Sequence, residues 1–308
     1  MIRVLAIVAL VVAVGGVAFW LLTTPQKLAA GDLPDHTPDI ANGERMFWAG
    51  GCASCHAAPD ADGDEALKLG GGRALETAFG TFRTPNISPD PQDGIGSWSV
   101  GDFVTAMKLG VAPDGTHLYP AFPYASYQRM RVEDIIDLKA FLDTLPLIAQ
   151  RNAANDLKFP YSIRRGVGLW QLLHIDGATF TPNPQASDKV NRGNYLVNGP
   201  AHCGECHTPR AFDGSMIASR AFAGAPAMEG GGSVPNITPH ADGIGDWSEA
   251  DIVTYLTTGF TPDFDSAGGA MADVVKGMSR LPEEDVAAIA AYLKTIAPLP
   301  SSSATGGS

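Results

Sequence analysis

Cys52-Ala53-Ser54-Cys55-His56 and Cys203-Gly204-Glu205-Cys206-His207 hold all four cysteines of the chain. In each stretch two thiols spaced by two residues are followed at once by a histidine. With 7 His in 308 residues, chance would place a His after both pairs roughly 5 times in 10,000. Thiols at this spacing reach the two vinyl groups of one haem as thioethers, and the adjacent imidazole then lies under the iron as its fifth ligand. The two pentapeptides therefore predict two covalently bound haem c groups. Cys52 and Cys55 hold one, Cys203 and Cys206 the other, with His56 and His207 on the irons. A zinc site would gather its four thiolates within a few tens of residues, whereas these pairs lie 151 apart. A disulfide framework or a dithiol redox pair has no use for a His after each second Cys.

Working outward from the motifs, the chain repeats itself. Gly43 lines up with Gly193, Cys52 with Cys203, and Pro85-Asn86-Ile87-Ser88-Pro89 with Pro235-Asn236-Ile237-Thr238-Pro239. Asp93-Gly94-Ile95-Gly96 with Trp98-Ser99 matches Asp242-Gly243-Ile244-Gly245 with Trp247-Ser248, and the offset stays between 149 and 151. Two equivalent units follow from this. In both, Ser-x-x-Asp (Ser99 with Asp102, Ser248 with Asp251) opens an amphipathic helix as a variant capping box. Both units end in a further helix, expected over Val132 to Leu145 and Glu283 to Ile296, the second with three acids at its positive end. Each unit reads as helix, CxxCH, long Gly/Pro loop, helix, loop, helix, an all-α module packed on a haem.

The resulting organisation is an amino-terminal anchor and short linker over 1–31, a first module over 32–145 and a connector over 146–186. A second module over 187–298 and a flexible tail over 299–308 complete it. The connector is rich in Pro, Asn and aromatic residues, with a short helical stretch near Arg164 to His174. The tail is expected to be disordered from Ser301, because it carries no side chain worth burying.

Val4 to Leu22 are nineteen residues without a charge. A bilayer core needs about 20, and a cleavable signal peptide has about 7 to 15. The segment reads as an uncleaved signal anchor; a long signal peptide cut near Ala30 is the competing reading, with Leu28-Ala29-Ala30 a poor cleavage site. Arg3 keeps the amino end cytoplasmic, against a weak counterweight from Lys27. The expected location is the bacterial cytoplasmic membrane, spanned once, with both modules on the periplasmic side. The 33 acidic against 21 basic residues give a net charge of −12, which argues against nucleic acid as a partner. There is no GxxxxGK[ST] loop, HExxH pair or GxSxG elbow, hence no sign of nucleotide, zinc-hydrolase or serine-hydrolase chemistry.

The repeated Pro-Asn-Ile-[Ser/Thr]-Pro and Asp-Gly-Ile-Gly-x-Trp-Ser strings carry a resemblance to a known family. So do Leu118-Tyr119-Pro120-Ala121-Phe122-Pro123-Tyr124 and Cys203 through His207 followed by Thr208-Pro209-Arg210. Over residues 40 to about 298 the chain resembles the membrane-bound cytochrome c subunits that accompany periplasmic alcohol, aldehyde and gluconate dehydrogenases. Those subunits usually carry three haem domains, and two motifs stand here. The resemblance implies an all-α fold of two tandem class I cytochrome c domains behind an amino-terminal transmembrane helix. It also implies that the sixth iron ligand is a Met in the loop before each last helix.

In the second repeat that places Met271 on the iron, with Met278 its competitor and Met228 too early in the chain. The first repeat has Phe122-Pro123-Tyr124 where relatives commonly show Met-Pro-Tyr, which leaves Met107, Met130 and His117. Met107 falls on the helix stripe Val100, Phe103, Met107 and is the choice here. Met130, before the last helix, reads as a hydrophobic staple. His117, in a Gly-rich turn, is expected to be solvated.

Two functional classes follow. One is an electron carrier, accepting from a periplasmic dehydrogenase or a quinol-oxidising complex and delivering to a soluble cytochrome or terminal oxidase. The other is a dihaem redox enzyme, thiosulfate dehydrogenase-like or peroxidase-like, with one haem open to substrate. Carbon monoxide binding separates them.

Overall fold

The structure is a computed structural model, and it describes residues 1–227 and 232–302. Helix α1 (Ile2–Leu22) is uncharged after Arg3, buries no residue against the rest of the chain, and is long enough to cross a membrane. The first module is built from α2 (Ile40–Ala49), α3 (Cys52–His56), α4 (Val100–Leu109), α5 (Tyr124–Tyr127) and α6 (Val132–Leu142). After α7 (Val167–His174) in the connector, the second module follows. It comprises α8 (Asp188–Asn198), α9 (Gly204–His207), α10 (Glu249–Thr258), α11 (Ala270–Met278) and α12 (Glu283–Leu293).

Both capping boxes form. Ser99 accepts from Asp102 N while Asp102 reaches back to Ser99 N, and Ser248 does the same with Asp251. Asp39 caps α2 by accepting from Ala41 N and Asn42 N. The last helices stop at Leu142 and Leu293, three residues short of expectation, where the chain tightens into a turn.

Each module is organised on one crossing of its first and last helices, α2 on α6 and α8 on α12. The aligned pair Gly43 and Gly193 explains how close these crossings are. A Cβ on Gly43 would sit 2.1 Å from Asp137 O, and one on Gly193 would sit 1.9 Å from Ala288 O. Only hydrogen fits at either point. Around the crossings Met46, Phe47, Val104, Ile135 and Leu142 in one module, and Leu196, Val197, Ile289 and Ala290 in the other, are fully or almost fully buried. Each large apolar side chain of this kind contributes about 1.5–3 kcal/mol by leaving water.

The fold is mostly helical, as read from the sequence, with small antiparallel additions. Strands β1 (Ala74–Thr77), β2 (Gly80–Arg83) and β3 (Asp156–Leu157) form one sheet, β4 (Ala225–Pro226) and β5 (Ser233–Val234) another. The long Gly/Pro loops satisfy their backbone groups this way. Through β3 the connector lies on the first module, and Asn86 Nδ2 donates to Ile148 O and Gln150 O at 2.6 and 3.1 Å.

The second module repeats that arrangement with the carboxyl end of the chain, and here the expectation of a free tail from 299 is corrected. Asn236 Nδ2 donates to Leu299 O at 2.7 Å, Arg220 to Pro300 O at 2.7 Å, and Ser301 N to Asp242 Oδ2 at 3.0 Å. A backbone pairing, Ser302 N to Ala223 O, completes the strap. These residues are held by main-chain groups, which composition does not reveal. Residues 303–308 of that tail lie outside the described residues.

The two modules are joined reciprocally. Helix α11 of the second packs against α2 and α3 of the first. Arg280 lies over the Trp48 ring at 4.6 Å, and Arg73 approaches Asp273 at 3.9 Å. In return, α5 of the first meets α9 and the loop before it: Ser126 Oγ donates to Glu205 Oε1 at 2.7 Å, and the Tyr127 and His202 rings are 5.4 Å apart. Tyr195, on α8, donates its hydroxyl to Asp134 of α6.

Candidate haem sites

Both CxxCH pentapeptides are single helical turns, entered from Gly51 in the left-handed region at φ 57° and, in the second module, through Cys203 as N-cap. The turn puts both thiols and the imidazole of each motif on one short segment, as two thioethers and an iron ligand require. None of the four cysteines forms a disulfide. Burial pushes the Cys52 and Cys203 thiols up to about 12, and Cys55 and Cys206 add to it. Among the described residues no group of three or more His, Cys, Asp or Glu converges on a metal position.

The imidazoles are held the same way in both modules. His56 Nδ1 lies 2.7 Å from Pro85 O, and His207 Nδ1 lies 2.7 Å from Pro235 O. A carbonyl only accepts, so Nδ1 carries the proton and Nε2 keeps its lone pair for a metal. Burial lowers the pKa of both histidines, with the proline carbonyls opposing it, and the rings are held neutral. The prolines are the first residues of the repeated Pro-Asn-Ile-[Ser/Thr]-Pro strings, which explains those strings. Asn86 Oδ1 accepts from Ser88 N at 2.9 Å, and Asn236 Oδ1 from Thr238 N at 2.7 Å. Ile87 N donates to Leu69 O, Ile237 N to Phe222 O, and the backbone around each His is tied by Gly71 N to His56 O and Gly224 N to His207 O. The sequence displayed these strings without their role, because each carbonyl stands 28 or 29 residues from its His.

The residues read as sixth ligands fall in different places. Met271 is in the first turn of α11, half-buried against the core; the sequence put it in a loop. Met278 ends the same helix and is buried. Met107 is buried on α4, and its neighbour Lys108 is buried too, donating to Gln128 O and Met130 O at 2.6 and 3.0 Å. Burial pushes Lys108 down to about 8. Met130 is buried beside Gly199 of the second module, so the expected staple is a junction contact.

His117 is not solvated: it is 4% exposed, with Nε2 2.8 Å from Thr23 O and Nδ1 2.6 Å from Gln171 Oε1. Both ring nitrogens are engaged, and no lone pair is left for iron in this arrangement. Phe122, which stands where relatives commonly show Met, packs on Tyr127 at 5.5 Å. Met228 lies outside the described residues.

Sequence reasoning missed Glu205, inside the second motif. It is buried and accepts from Arg210 Nη2 at 2.5 Å as well as from Ser126. The signal available was an acid and a base five residues apart in Cys203 to Arg210.

The family described as Cytochrome c matches residues 40–146 and again 190–297. A dihaem cytochrome c-type protein of Cereibacter sphaeroides is 51% identical over 288 residues, 94% of this chain and 96% of that protein. The cytochrome c subunit of a quinone-linked alcohol dehydrogenase of Gluconacetobacter polyoxogenes is 36% identical over 290 residues, 90% of this chain and 61% of the subunit. The cytochrome c subunit of gluconate 2-dehydrogenase of Pantoea cypripedii is 36% identical over 270 residues, 83% of this chain and 59% of the subunit. The chain thus spans nearly all of the dihaem relative and about three fifths of these two dehydrogenase subunits.

Proposed function

The chain belongs to the cytochrome c family, and from that premise we propose that it is a membrane-anchored dihaem electron carrier working beside a periplasmic dehydrogenase. The observation that carries this reading is the matched pair of imidazoles, each fixed by a proline carbonyl with Nε2 left as a metal ligand. Bound haem c supplies a one-electron ferrous/ferric couple. Cys52 and Cys55, and Cys203 and Cys206, fasten the two groups. His56 and His207 would each offer Nε2 to an iron, and Pro85 and Pro235 orient and polarise those imidazoles. Met271 is the sixth ligand of the second iron. Met107 is that of the first, with Met130 tested beside it because it follows Tyr127, whose hydroxyl donates to Gly50 O at 3.3 Å, two residues before Cys52.

A dehydrogenase or a quinol-oxidising complex is the donor, and a soluble cytochrome or terminal oxidase the acceptor. Helix α1 holds the chain in the bacterial cytoplasmic membrane, amino end inside and modules in the periplasm. Intact mass and a haem stain after denaturing electrophoresis test the attachment. Two haems are expected, one after Cys203 and Cys206 are changed to Ala, and a wild-type mass without haem would sink the reading. Carbon monoxide tests the role: a carrier with two six-coordinate irons leaves its reduced spectrum unchanged, and a shift at one haem points to the enzyme alternative.

A further inference from the structure

Helix α1 does not simply lead into a tether. Its carboxyl end is docked on the connector: Arg165 donates from Nη2 to Trp20 O at 2.6 Å and from Nε to Thr23 Oγ1 at 2.8 Å, and its guanidinium lies 4.2 Å over the Trp20 ring. His117 reaches Thr23 O, and Lys27 Nζ donates to Pro113 O. Helix α7 begins at this point, with Gly168 against Thr23.

The inward residues of α7 are accounted for. Gln171 bonds His117, Leu109 O and Gly110 O, and Trp170 packs on Tyr124. Its outward residues Leu169, Leu172 and Leu173, spaced as one helix stripe, are 38, 55 and 76% exposed. Just before them Phe159 is 81% exposed and Ile163 is 50% exposed. Soluble surfaces seldom gather so much apolar area without a partner.

The composition says what the partner is. Residues 157–175 contain no acid, in a chain with 33 of them, and carry Lys158, Arg164 and Arg165. Apolar side chains edged by arginine and by aromatic rings, Tyr161 and Trp20, are the chemistry of a membrane–water interface with anionic headgroups. The position agrees. α7 has eight residues, so at about 1.5 Å per residue it extends only about 12 Å from the end of α1, within reach of the interfacial layer that α1 crosses.

We infer that residues 159–173 form a second membrane contact, laying Phe159, Ile163, Leu169, Leu172 and Leu173 into the outer interface of the bilayer. The inference rests on reading α1 as a membrane helix. The docked end of α1 and this contact together fix the body's orientation toward the bilayer.

The test uses the full-length holoprotein in vesicles of phosphatidylethanolamine and phosphatidylglycerol. Nitroxide labels are placed by Leu173→Cys and Ile163→Cys, with Asp64→Cys as an exposed reference, since the native cysteines are held in thioethers. A carbonate wash is done first, and haem spectra check each variant. Retained protein whose labels at 163 and 173 collide with oxygen but have lost most collision with a water-soluble nickel chelate supports the contact. Retained protein whose three labels meet the nickel chelate alike overturns it while leaving the anchor standing. Release by carbonate overturns the anchor reading, and the second contact falls with it.

Discussion

A single carbonyl oxygen decides what the histidine of each CxxCH motif is able to do. Pro85 and Pro235 select the tautomer that presents Nε2, so the pentapeptides are legible in the sequence while their setting is not. The same limit explains His117, a polar residue in a turn that becomes buried only because the end of α1 and Gln171 close over it. Met271→Ala should lower the potential of the haem at Cys203 and Cys206 and open that iron to carbon monoxide, leaving the other unchanged; spectroelectrochemistry reads both. Met107→Leu keeps the packing and removes the sulfur. It should do the same to the haem at Cys52 and Cys55, and an unchanged spectrum transfers the role to Met130.

His36 gives a pH dependence at this scale too. Its Nε2 is 2.7 Å from Asp137 Oδ1, and that hydrogen bond chiefly raises its pKa above the ordinary 6.5. A raised folded value stabilises fully below the unfolded one and is lost as pH rises through the folded one. Urea midpoints of wild type and His36→Ala should therefore differ most below pH 6.5 and converge in alkaline solution.

At the level of elements, the capped helices were readable because Ser-x-x-Asp acts within four residues. Ser99→Ala and Ser248→Ala should each cost about 1 kcal/mol in thermal or urea unfolding, without shifting the haem spectrum. Helix crossings are another matter. Gly43 and Gly193 stood out as aligned glycines, yet nothing local to them names the carbonyls of Asp137 and Ala288 they must clear. Gly193→Ala should cost more than either cap, on the order of 1–3 kcal/mol or above, because backbone on both helices has to separate. Small strands and the strap at Leu299 to Ser302 are not legible for the same reason: they bond through their own main-chain groups, to partners elsewhere along the chain.

Across the whole molecule, two repeated units were legible from the constant offset, but their reciprocal seating was not, since a repeat shows likeness and says nothing of contact. That seating has a bearing on how the chain is made. The segment around Cys52 to His56 emerges early, yet α11 and Arg280, which cover part of α2 and α3, follow more than two hundred residues later. Until they arrive, the first CxxCH turn is uncovered on that side, and the last quarter of the polypeptide then packs over it while Cys52, Cys55 and His56 stay partly exposed. A chain stopped at residue 186 should accordingly still acquire one haem, and in urea its haem should lose histidine ligation at a lower concentration than the same group does in the complete protein.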